Sequence, residues 1–146
     1  MANVLIAGSD HAGLTLKQEL VGIAAELGYE VRDLGTHTSD STDYPDYAHQ
    51  VASAVAAGEG IGLLVCGTGI GMSMTANRHR GVRAALCGDV FSAHMAREHN
   101  DANVLCIGAR VTGPGLAADI LEAFLSGSFE GGRHERRVNK IDLPES

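Results

Sequence analysis

Few cysteines, no long apolar run and no surplus of positive charge set the first limits on this chain. Its three cysteines, Cys66, Cys87 and Cys106, are odd in number and show no C-x-x-C spacing. That pattern argues against a zinc site or disulfide framework and favours a reducing cytoplasm. No apolar stretch of roughly 18 residues occurs, so no membrane-spanning helix is expected. The segment Met1–Gly8 carries no basic leader and runs directly into a strand-like pattern, so no secretory signal is expected. A net charge of −7 argues against a nucleic-acid binder built on phosphate contacts. No H-E-x-x-H occurs, and His94 and His99 are five apart, so they do not share a helix face as a metal pair would. No metal is indicated.

What is present fits one ordinary globular domain: 146 residues, 45% of them hydrophobic. Short apolar runs alternate with longer amphipathic segments. Strands are expected at Val4–Ala7, Glu30–Leu34, Gly62–Val65, Arg83–Leu86 and Val104–Ile107. Helices are expected at about Leu14–Leu27, Pro45–Ala57, Ile70–Asn77, Val90–Glu98 and Leu116–Leu125. This alternation implies a parallel five-stranded sheet covered on both faces, an α/β fold in a Rossmann-like three-layer sandwich. The tail from Gly131 to Ser146 carries Arg133, Arg136, Arg137 and Lys140. It is either a helix lying on another subunit or a solvated end.

The densest signal is Leu63-Leu64-Val65-Cys66-Gly67-Thr68-Gly69-Ile70-Gly71. An apolar run delivers a thiol into a glycine turn, whose backbone N–H groups form a concave anion site. In open α/β sheets ligands gather at the carboxyl ends of strands. The glycines do not spell G-x-G-x-x-G and no P-loop lysine follows, which leaves little for NAD or ATP and points to a phosphate or a developing oxyanion. A purely structural role, tight strand-to-helix packing, also fits. Cys87 and Cys106 read as small buried hydrophobes.

Ser9-Asp10-His11 ends the first expected strand. Asp10 and His11 there can orient a hydroxyl or phosphate, although Asp10 could equally cap the next helix. His99 and Asn100 lie in a polar cluster before an apolar strand, where His99 is either a general acid/base or an exposed loop residue. Arg110, Arg133 and Arg137 offer planar forks for phosphate. Arg133 and Arg137, four apart, would share one helix face. Solvated surface arginines are the plainer alternative.

Together these stretches resemble the ribose-5-phosphate isomerase B family, which also includes galactose-6-phosphate isomerase subunits. The resemblance is carried by Gly8-Ser9-Asp10-His11-Ala12-Gly13, Thr42-Asp43-Tyr44-Pro45, Cys66–Gly71, Glu98-His99-Asn100-Asp101, Asn103-Val104-Leu105 and Phe129–His134, in order along nearly the whole chain. It implies a cofactor-free aldose–ketose isomerase that moves a proton between C2 and C1 of a sugar phosphate through a cis-enediolate. By position Cys66 would be the base, and the amides of Gly67, Thr68, Gly69, Ile70 and Gly71 would stabilise the enediolate oxygen. Donors of that kind are worth about 3–4 kcal/mol each. His99 would open the furanose ring, with Thr68 and Asp10 placing hydroxyls and Asn100 contacting the enediolate oxygens. His11, Arg110, Arg133 and Arg137 match the phosphate set, and Tyr44 lines the sugar site. Some relatives use a glutamate instead; Met72–Asn77 contains no acid, so the chain follows the cysteine subtype. The resemblance also implies a homodimer, or a dimer of dimers, with sites between subunits and residues 131–146 packing on the partner.

Ribose 5-phosphate is the expected substrate. Allose 6-phosphate, galactose 6-phosphate or a tetrose phosphate is the alternative within the same chemistry. A non-catalytic sugar-phosphate sensor is the alternative outside it, although binding alone requires no thiol base. A thiol-redox protein would need a resolving cysteine that the spacing does not supply.

Overall fold

A computed structural model describes residues 3–145. The elements run β1 (Val4–Ser9), α1 (Leu14–Glu26), β2 (Glu30–Asp33), α2 (Tyr44–Ala56), β3 (Ile61–Cys66), α3 (Ile70–Ala76), β4 (Ala84–Leu86), α4 (Val90–Glu98), β5 (Val104–Gly108), α5 (Pro114–Ser126) and α6 (Arg133–Val138). All strand pairs are parallel, in the order β2-β1-β3-β5-β4. The expected α/β sandwich is therefore present. Every expected strand and helix forms within a residue or two of its expected ends.

The small differences have local causes. Pro114, suited to a first helical turn, starts α5 two residues before Leu116. β4 begins at Ala84 because the Arg83 N–H donates to the Asn103 side-chain carbonyl at 2.7 Å rather than to a neighbouring strand. α6 realises the helical reading of the C-terminal tail; its six residues bury no side chain, so no apolar stripe marked its bounds in the sequence.

Alternation along the central strands sorts the core into two layers. Leu5, Ala7, Leu63, Val65, Leu105 and Ile107 pack with α1, α4 and α5. Ile6, Leu64, Cys66, Val104 and Cys106 face the other way, against Val51 and Val55 of α2 and Met72 and Ala76 of α3. Cys66 is thus the last core residue of its layer, where the core meets the loop.

The loop after β2 is tied down from below. Lys17 of α1 is fully buried, and its ammonium donates to Asp33 and to the Thr36 carbonyl, both at 2.7 Å. A buried lysine needs such partners, because an unpaired charge in the core costs several kcal/mol.

Candidate functional site

The residues singled out by sequence fall into two groups, at opposite ends of the sheet. The first gathers at the carboxyl ends of β1 and β3. Cys66 is 5% exposed and its Sγ accepts the Gly69 N–H at 3.1 Å. That bond fixes the sulfur and aims a donor at any negative charge it carries. Gly69 holds φ +78°, and a Cβ there would lie 3.0 Å from the Ile107 carbonyl carbon. Only glycine makes this turn without strain. The Ile70 N–H donates to Thr68 Oγ1 at 3.3 Å, leaving the Thr68 side chain exposed at the rim.

Two side chains lie across the same loop because glycines let them. A Cβ on Gly71 would sit 2.3 Å from the Tyr44 ring, so Tyr44 folds over that end. A Cβ on Gly67 would be 3.6 Å from an Arg110 guanidinium nitrogen, and the Arg110 N–H donates to the Gly67 carbonyl at 2.9 Å. Arg110 therefore brings a positive fork beside the thiol turn.

Asp10 and His11 complete this edge. Asp10 does not act as the cap of α1. Its carboxylate accepts the Gly13 N–H at 3.0 Å and shapes the turn before the helix, and Gly13 is the cap residue. His11 exchanges two bonds with Thr42: its N–H donates to Thr42 Oγ1 at 3.0 Å, and Nδ1 accepts the Thr42 N–H at 3.1 Å. With Nδ1 accepting, a neutral ring carries its proton on Nε2 and presents a donor.

The second group sits at the amino end of β5. α4 runs back across the sheet from the carboxyl edge and delivers His99 and Asn100 to the opposite edge. There they share a cavity of about 420 Å³ with His134, Arg137, Val138 and Ile141. Arg133 starts the same helix, α6. The strand register measures the separation: Gly62 of β3 pairs with Val104, while Cys66 pairs with Gly108. Four residues of strand span roughly 13 Å, so one chain does not bring Cys66 and His99 together.

His99, Glu130 and His134 have ligand atoms within 4.8 Å of one another. The two rings, however, stack nearly parallel, with centroids 4.1 Å apart and planes 11° from each other. Two imidazoles binding one ion must each hold it in the ring plane, and stacked parallel planes do not meet at a common point. This arrangement is better suited to orienting a ring than to chelation.

Several contributors have no role assigned from the sequence. Thr42, Glu130, His134 and the packing glycines Gly13 and Gly108 all shape the two groups. A Cβ on Gly13 would lie 2.3 Å from the Val65 carbonyl oxygen, and one on Gly108 would lie 2.6 Å from the Thr68 carbonyl carbon. The signal was present for these two, since each follows or ends a strand beside the site. Cys87 and Cys106 are buried as expected. Burial pushes the Cys87 thiol up to about 11 and raises that of Cys106 further.

Residues 5–141 match the family described as Ribose/Galactose Isomerase. The chain belongs to that family. It is 52% identical over 139 residues to ribose-5-phosphate isomerase B of Escherichia coli, covering 94% of this chain and 93% of that protein. Its fold is similar to that of ribose-5-phosphate isomerase B from Clostridium thermocellum, with TM-score 0.93, 50% identity and 94% of each chain covered. It is likewise similar to the Trypanosoma brucei type B ribose 5-phosphate isomerase, with TM-score 0.94, 46% identity and 97% of each chain covered. No helix among the described residues is long and apolar enough to cross a membrane.

Proposed function

We infer that the protein interconverts ribose 5-phosphate and ribulose 5-phosphate, with Cys66 as the proton-transferring base. The observation that carries this reading is the Cys66 sulfur at the end of β3, held by the Gly69 N–H in a glycine turn flanked by Arg110 and Tyr44. In the open-chain aldose, Cys66 removes the C2 proton and C1–C2 enediolate forms. A proton passes from O2 to O1 and the thiol, whose proton exchanges with solvent, delivers one to C1 to give the ketose, so no redox partner is required. Because the Gly69 and Ile70 amides serve Sγ and Thr68 Oγ1, the Gly67, Thr68 and Gly71 amides are the donors for the enediolate oxygen.

His99 opens the ring, and Asn100 contacts the enediolate oxygens. His11, Arg110, Arg133 and Arg137 hold the phosphate, while Asp10 and Thr68 place hydroxyls. Since the two groups lie at opposite sheet edges, a second copy of the chain supplies one to the other. A two-fold homodimer makes two equivalent sites this way. The tail through α6, which carries Arg133 and Arg137, then serves the neighbouring copy. The whole chain acts as one isomerase domain, and its three free thiols suit a reducing cytoplasm.

The test is ribose 5-phosphate isomerisation in EDTA, comparing wild type with Cys66→Ala. Activity that survives chelation and falls by about 10²–10⁴ in the folded variant supports a thiol base. Unchanged turnover in Cys66→Ala would remove the cysteine from the mechanism. Relative kcat/KM across pentose, hexose and tetrose phosphates tests the substrate, and a hexose preferred more than ~10-fold would displace ribose 5-phosphate.

A further inference from the structure

Two residues outside the proposed machinery converge on His99. The Glu130 N–H donates to the Glu98 carbonyl at 3.0 Å, which pins the segment after α5 to the residue preceding His99. The Glu130 carboxylate then lies 3.4 Å from His99 Nε2. Gly131 at φ +70° and Gly132 at φ +56°, ψ −131° reverse the chain. The second of these is a conformation that side-chain-bearing residues avoid. The turn opens α6, where the His134 N–H donates to the Gly131 carbonyl at 3.1 Å and the His134 ring lies flat on His99. A carboxylate thus meets one edge of the His99 imidazole, and a second ring fixes its plane.

The geometry points to Glu130 and His134 as positioning residues for ring opening by His99, an inference that rests on the role given to His99 above. Opening the furanose breaks the bond between C1 and the ring oxygen and forms the C1 carbonyl. One proton leaves the anomeric hydroxyl and one reaches the former ring oxygen, with no net redox change. A histidine performing that transfer must present one nitrogen to the sugar in a fixed direction. With Glu130 at Nε2, Nδ1 is the nitrogen left for the sugar, and the stacked ring resists rotation about the side chain.

Ribulose 5-phosphate separates this step from enolisation. Its C5 oxygen is esterified, so it cannot close a furanose, and its C1 proton exchanges with solvent through the enediolate alone. Full-length variants are compared by exchange of ribulose 5-phosphate in D₂O and by conversion to ribose 5-phosphate. Glu130 is exposed and His134 only partly buried, which sets the expected effect at about fivefold. Glu130→Gln and His134→Ala lower the ratio of isomerisation to exchange by that factor, and His134→Phe, which keeps a stacking ring, recovers most of it. An unchanged ratio in Glu130→Gln and His134→Ala, or an equal loss in both readouts, overturns the positioning role. Absence of exchange in the wild type instead overturns the thiol-base reading, and this inference falls with it.

Discussion

Replacing Gly108 by alanine separates the shape of the site from the stability of the fold. Gly108 ends β5 beside the thiol turn, and an added Cβ would lie 2.6 Å from the Thr68 carbonyl carbon and oxygen and 2.8 Å from its Cα. An unstrained contact is nearer 3.4 Å, so the turn must withdraw by about 0.8 Å. The atoms met are backbone, which no side-chain rotation relieves. Overpacking of this kind destabilises by about 1–3 kcal/mol, which for a domain of this size lowers Tm by only ~3–10 °C. The same displacement moves the Thr68 carbonyl, the Gly69 N–H and the sulfur that it holds. A misplacement near 1 Å in a reacting group costs about 10²-fold in rate. Calorimetry and steady-state isomerisation on one preparation measure the two effects. A folded Gly108→Ala with kcat/KM within fivefold of wild type would show that the turn's placement against β5 does not control the chemistry.

Other perturbations probe separate parts of the molecule. Cys66→Ala and His99→Ala should each be nearly inactive, yet unfolding and refolding them together should restore about a quarter of wild-type activity, because mixed dimers hold one intact site. No recovery in a mixture shown to contain the mixed dimer would mean that the two residues do not share a site across chains. Lys17→Met should destabilise by about 2–3 kcal/mol in urea unfolding, less than the ~3–5 of a wholly buried pair, because Asp33 is 25% exposed and regains water. A change below 0.5 kcal/mol would show that Lys17 does not anchor the β2 loop. The Cys87 thiol, raised from 9.0 to about 11, ionises later in the folded than in the unfolded chain. Its contribution is complete below about pH 9 and is lost as pH rises toward 11, so the urea midpoint should fall over that range and fall less in Cys87→Ala.

The strands were legible because four of the five are uninterrupted or alternating apolar runs closed by glycine or polar turns, and the cysteine-glycine turn was legible because it breaks such a run. Lys17 was not picked out, although it occupies the apolar stripe of α1 with Leu20 and Ala24; charge suggests solvent unless a partner is known, and Asp33 lies on another element. The partition of the site was implicit in the alternation of elements. Residues that end or follow strands, such as Asp10, Cys66 and Arg110, stand at the carboxyl edge of a parallel sheet, whereas His99, which follows a helix, stands at the amino edge. Glu130 and His134 left no periodic trace, since their placement depends on two adjacent glycines turning the chain rather than on burial.

The sorting of strand residues between two layers also partitions where this protein can be altered. Cys66 shares its layer with Val51, Val55, Met72 and Ala76, so a change of volume there is transmitted directly to the sulfur. Leu16, Leu20, Ile120, Leu121 and Phe124 of α1 and α5 lie beyond the sheet, in a separate packed cluster. Engineering for heat resistance therefore belongs in the α1–α5 half, where helices can be reinforced while the sheet separates the Cys66 sulfur from the new side chains.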